Sequence, residues 1–137
     1  MTERKITICG KEVTMIYCAA TENGFEQISG KSIAVFVPTF ETNDKGETVI
    51  KEPAKAMIGD YVMLAVAGIV ASYTKKKEEP PISSDEILYE ATPQERNDML
   101  AAVIELRNEW YGITAVVEET LNKEAQGQEG KEGGKKN

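Results

Sequence analysis

Residues 56–73 carry one charge, Asp60, in a run otherwise made of apolar and small residues. Met57, Ile58, Tyr61, Leu64, Ala65, Ile69 and Tyr73 keep helical spacing, and apolar residues fill most of the remaining faces. A helix with no side to give to water must be wrapped by the rest of its chain or by lipid. Its uncharged part, residues 61–73, spans only about 20 Å at 1.5 Å per residue, well short of a hydrocarbon core of roughly 30 Å. The pattern therefore predicts a buried central helix over residues 54–74, in which Gly59, Ala65, Ala67, Gly68 and Ala71 leave room for close approach by neighbouring helices. A chain of 137 residues, 41% of them apolar, can build one core around it.

A β-hairpin is predicted before that helix. Residues 5–9 and 12–18 alternate on either side of Gly10-Lys11, and Gly at the first turn position suits a type II′ connection. In that register Ile8 faces Val13, Ile6 faces Met15 and Arg4 faces Tyr17, so Ile6, Ile8, Val13, Met15 and Tyr17 share one face. Lys5, Thr7, Glu12 and Thr14 make the other face polar. Cys9 then lies beside the turn and Cys18 at the open end, about 20 Å away at roughly 3.3 Å per residue, too far for a disulfide. The outer edges of such a hairpin are free to add a strand unless residues 32–37 or a helix cover one of them.

Thr21 is expected to cap a short helix through Phe25 and Ile28, with Gly30 as its left-handed stop. Residues 32–37 fit either a strand or a helical turn begun by Ser32 and ended by Pro38. Residues 40–53, with the turn sequence Asn43-Asp44-Lys45-Gly46, read as an exposed loop or loose hairpin. After the central helix, residues 75–79 and Pro80-Pro81 form a polar connection, and Ser83 or Ser84 caps a short helix holding Ile87, Leu88 and Tyr89. Thr92-Pro93-Gln94-Glu95 is a capping box opening a helix to Tyr111, stopped by Gly112. Met99, Val103, Leu106 and Trp110 form its apolar stripe, widened by Leu100 and Ile104. The fold class expected is α+β, mainly α: an N-terminal β-hairpin followed by a small helical bundle. It occupies residues 1–115 as a single domain, followed by a disordered polar tail over 116–137.

The chemistry open to this chain is narrow. It contains no His, the usual acid–base residue near neutral pH and the commonest zinc ligand. The two cysteines, at opposite ends of a hairpin, cannot make a thiolate metal site. Residues 24–32, GFEQISGKS, imitate a phosphate-binding loop, but five residues separate Gly24 from Gly30 where that loop needs four. These glycines also flank a predicted helix, so a Gly cap and a solvated Lys31 explain the match. Asp60 could act as an acid or base if buried, although in the first turns of a helix it also suits the dipole while facing solvent. No catalytic, cofactor-binding or metal site is expected, and no cofactor. A net charge of -7 opposes binding to nucleic acid or anionic membranes. The N-terminal residues lack the layout of a secretory signal, which points to the cytoplasm. The chain is therefore read as a protein-binding module, not an enzyme. Tyr61, Trp110 and Tyr111 are the candidate partner-binding residues, because aromatics of this kind often anchor interfaces; core packing is the competing and more ordinary role for Trp110 and Tyr111.

The order of elements, with Ile6-Thr7-Ile8-Cys9-Gly10-Lys11-Glu12-Val13-Thr14, the run Asp60-Tyr61-Val62-Met63-Leu64-Ala65-Val66-Ala67, and Leu88-Tyr89-Glu90-Ala91-Thr92-Pro93 leading to Trp110-Tyr111, resembles the tail assembly chaperones of long-tailed, siphophage-type bacteriophages. The form it is similar to occurs in prophages of Bacteroides-type bacteria. The resemblance covers most of residues 5–112 and rests on a loose pattern without a diagnostic motif. It implies a non-enzymatic protein of the bacterial host cytoplasm that binds the phage tape-measure protein, keeps its hydrophobic helices soluble and recruits tail-tube protein. In such systems a ribosomal frameshift often yields a longer form. The segment 40–53 and the Lys- and Glu-rich tail are longer and more polar than the pattern needs. A self-associating structural or regulatory module, with a homo-oligomer as its working form, is the alternative.

Overall fold

A computed structural model describes residues 2–112. In chain order they form β1 (Glu3–Ile8), β2 (Lys11–Ile16), α1 (Ala19–Ser29), a 3-10 turn (Ile33–Phe36), β3 (Thr39–Thr42), β4 (Thr48–Glu52), α2 (Ile58–Lys76), α3 (Ser84–Glu90) and α4 (Pro93–Tyr111). The fold is α+β and mainly α, with an N-terminal antiparallel hairpin followed by helices. The chain divides into two units, Met1–Arg107 and Asn108–Asn137. The expected domain limit at residue 115 and the polar tail lie outside the described residues.

The apolar run is the centre of the first unit. Leu64, Ala65 and Ile69 of α2 are fully shielded from solvent, and Val66, Ala67 and Val62 nearly so. Around them pack Ile8, Val13, Met15 and Tyr17 from the first hairpin, Phe25 from α1, Phe36 from the 3-10 turn, Ile82 and Ile87, and Met99, Val103 and Leu106 from α4. No described helix is long and apolar enough to cross a membrane. At Gly68 the close approach to α2 comes from β2, where its small residues suggested neighbouring helices. A Cβ on Gly68 would sit 2.7 Å from the Ile16 carbonyl oxygen, whereas Gly24 of α1 lies opposite Ala67 at an ordinary 3.4 Å.

The hairpin register differs from the expected one by two residues. Ile8 pairs with Lys11, Ile6 with Val13 and Arg4 with Met15. The connecting residues are Cys9 and Gly10, both at positive φ (51° and 78°), which makes a type I′ turn in place of the expected type II′ at Gly10-Lys11. A shift of two leaves every side chain on its predicted face, so the buried set Ile8, Val13, Met15 and Tyr17 is unchanged. The turn is held from outside: the Cys9 N–H donates to Glu95 Oε2 at 2.9 Å and Lys11 Nζ to the Pro81 carbonyl at 3.1 Å. Positive φ disfavours cysteine, whereas asparagine tolerates it. Cys9→Asn should therefore stabilise the fold by about 0.5–1 kcal/mol, read as a higher thermal midpoint.

The polar face of the hairpin is not wholly solvated. Thr14 and Ile16 are buried, with Thr14 Oγ1 2.7 Å from Ser72 Oγ. The Thr14 N–H donates to the Tyr73 hydroxyl at 3.2 Å, and the Ile16 carbonyl accepts from Thr21 Oγ1 at 3.1 Å. Side chains of α1 and α2 thus sit on the outer edge of β2.

Helix ends follow the sequence signals with two corrections. The central helix, expected over 54–74, runs Ile58–Lys76, its start fixed where Asp60 accepts the Met57 N–H. Cys18, not Thr21, is the N-cap of α1; Thr21 lies three residues later and its hydroxyl accepts the Cys18 N–H at 3.2 Å. Gly30, at φ 72°, is the left-handed stop that was expected. Residues 32–37 resolve to the helical alternative, with Ser32 Oγ accepting the Ala34 N–H. Ser83 caps α3 and pairs with Glu86. Thr92 and Glu95 make the predicted reciprocal box, at 3.2 Å and 2.9 Å.

Candidate interaction surface

The second hairpin is the least packed part of the first unit. Every residue of β3 is exposed, and β4 buries none of its own, leaving Val49 and Ile50 half-covered. Phe40 faces Ile50 across the ladder and is 51% exposed. The register skips Lys51 between Ile50 and Glu52, a bulge that kinks the arm near its base. Its tip is self-sufficient. Asn43 Oδ1 accepts the N–H groups of Lys45 and Glu47 at 2.9 Å, and Gly46 takes the positive φ the turn requires. At the base, the Ala56 N–H donates to the Val35 carbonyl at 2.8 Å, and Val37, Met57 and Ile58 stand exposed beside it in sequence. A lone two-stranded ribbon is marginally stable in water, so Phe40, exposed on a largely polar arm with Val49 and Ile50 half-covered, is suited to being covered by a partner.

The aromatic candidates are placed differently from one another. Tyr61 is half-buried, its ring edge-on to Phe36 with centroids 4.8 Å apart, and Phe36 in turn meets Phe25 at 5.0 Å. Tyr61 therefore joins the margin of the core. Trp110 and Tyr111 are about half-exposed in the last turn of α4 and belong to the second unit. The stripe expected to bury Trp110 buries Met99, Val103 and Leu106 and leaves Trp110 and Ile104 partly in solvent. Neither Tyr89, the most exposed large hydrophobic among the described residues at 87%, nor the arm residue Phe40 stood out in the sequence.

The charged groups have structural partners. Asp60, for which burial and exposure in the first helical turn were both open, is buried at 5% exposure. One carboxylate oxygen accepts the Met57 N–H at 2.9 Å and the other accepts Lys31 Nζ at 2.9 Å. The Met57 N–H and then the Lys31 ammonium hold this carboxyl below its ordinary range, outweighing burial. Lys31 of the GFEQISGKS segment, expected to be solvated, is thus tied to the start of α2. Glu95 is also held low, first by the Thr92 N–H and further by the Cys9 N–H. Desolvation and then the neighbouring Glu95 push the Cys9 thiol up, which leaves it mostly protonated and a poor nucleophile. Cys9 and Cys18 are both free thiols. Among the described residues no cluster of acidic or sulfur ligands could hold a metal ion.

No family model matches the chain, and no curated protein or solved structure matches it either.

Proposed function

We propose that this protein is a tail assembly chaperone of a siphophage-type bacteriophage. It works without catalysis in the bacterial host cytoplasm, binding the tape-measure protein and recruiting tail-tube protein during assembly. The observation that carries this reading is the β3–β4 arm, which presents an exposed Phe40 beside the half-covered Ile50, with Val37, Met57 and Ile58 exposed next to the arm in sequence. Exposed apolar side chains of this kind suit the apolar face of a client helix. The hairpin-then-helices order and the sequence resemblance point to the same class.

Co-expression with the tape-measure protein encoded beside it is expected to raise that protein's soluble fraction several-fold and to yield a complex that co-purifies. Phe40→Asp should reduce both. A tape-measure protein that is equally insoluble with and without this chain, and never co-purifies, would end the reading. A slippery heptamer near the 3′ end of the gene, beside an overlapping frame, would be independent support.

A further inference from the structure

We propose that two copies of this chain associate through β1, edge to edge and antiparallel about a twofold axis, in a register centred on Arg4. The two-residue turn fixes which backbone groups look outward. With Ile8 and Lys11 as the closing hydrogen-bonded pair, Ile6–Val13 and Arg4–Met15 are bonded in the same way. The N–H and C=O groups of Glu3, Lys5 and Thr7 then point away from β2. The corresponding edge of β2 is taken, Thr14 by Tyr73 and Ile16 by Thr21. On β1 the Glu3 carbonyl meets only the Arg4 guanidinium of its own strand, at a long 3.4 Å. The residues Glu3, Lys5 and Thr7 are all exposed, and among the described residues no hydrogen bond to the outward backbone groups of Lys5 or Thr7 is found.

Charge chooses both the occupant and the register. Only outward-facing residues can form the hydrogen-bonded pairs of a new antiparallel ladder, which limits the choice to Glu3, Lys5 and Thr7. Centring on Arg4 sets Glu3 of each copy opposite Lys5 of the other, giving two opposite-charge pairs and four backbone hydrogen bonds. Centring on Lys5 sets Lys5 against Lys5, and centring on Ile6 takes Glu3 past the lysine altogether; directly opposed like charges are unfavourable. The chosen register brings the two Arg4 side chains together on the other face, where each guanidinium already has Glu105 at 3.2 Å to offset it. The register centred on Arg4 is therefore the only one of the three that pairs Glu3 with Lys5, and β1 is most complementary to itself there.

Sedimentation equilibrium of the full chain tests the idea. The unmodified protein should show a concentration-dependent dimer. Lys5→Glu and Glu3→Lys should each weaken it at least tenfold by opposing like charges, and the double swap E3K/K5E should restore it. Lys5→Pro should abolish it while leaving the hairpin intact, since the N–H removed faces away from β2; an unchanged circular dichroism spectrum and thermal midpoint would confirm that the fold survives. A chain that stays monomeric at high concentration overturns the proposal. So does a dimer indifferent to Lys5→Glu and Lys5→Pro, or a double swap that fails to recover association. None of these readouts involves a client, so client capture and self-pairing stand or fall separately.

Discussion

Gly68→Val is expected to destabilise the fold by about 3 kcal/mol or more, seen as a fall in thermal midpoint of roughly 10 °C. The cause is an approach that leaves no room for a side chain. A Cβ at this position would lie 2.7 Å from the Ile16 carbonyl oxygen, 2.9 Å from Met15 Cγ and 3.6 Å from Thr21 Cγ2. Met15 can shift, but the Ile16 oxygen belongs to a strand backbone and is held by the Thr21 hydroxyl at 3.1 Å. The added carbons must push β2 away from α2, opening the core where Met15 and Val13 are fully buried. Gly59, in the first turn of the same helix, gives the control. Nothing lies within 4 Å of the Cβ it lacks. Gly59→Ala should gain about 0.5–1 kcal/mol from the helix preference alone. Equal responses at the two positions would show that β2 does not press on Gly68.

Asp60→Ala should cost about 2–3 kcal/mol at pH 7, because it leaves the Met57 N–H without its acceptor and removes the charge that holds Lys31. Lys31→Met should cost less, about 1 kcal/mol, since its side chain is 49% exposed and water screens the pair. The loss at Asp60 depends on pH in a definite direction. The folded chain holds this carboxyl below its ordinary range, so the unfolded chain takes up the proton first as pH falls. The stabilisation is complete above the unfolded value, about 3.9, and disappears as pH drops through the lower folded value. Denaturation of the parent and Asp60→Asn should therefore differ most near neutrality and converge in strong acid. A gap that stays constant from pH 7 to pH 2 would mean that the ionised form contributes nothing.

These two residues also show where sequence was a sufficient guide. The all-round apolar run could be read as a buried helix because no other environment for it exists in a chain of this size. Its partner at Gly68 could not be named, since a small residue records that something comes close without saying what. The capping boxes at Ser83 and Thr92 were legible because every interaction in them is local. The hairpin turn was not. Registers centred on Gly10-Lys11 and on Cys9-Gly10 put the same residues inside, so hydrophobic pattern cannot separate them, and the deciding contacts come from Glu95 and Pro81, far along the chain. Asp60 stayed open between burial and exposure for a similar reason: its cationic partner, Lys31, lies 29 residues earlier. The candidate surface was the least legible part. Phe40 and Tyr89 are exposed because neighbouring elements do not reach them, a property of the assembled fold and not of either residue.

The hydroxyl groups seated along β2 set a limit on stoichiometry. With the Thr14 N–H given to Tyr73 and the Ile16 carbonyl given to Thr21, that strand offers no continuous template to a further chain. A sheet joined through β1 would end on both sides in a strand already sealed by its own helices. Growth would stop at two chains, so the arrangement that invites pairing also prevents a filament.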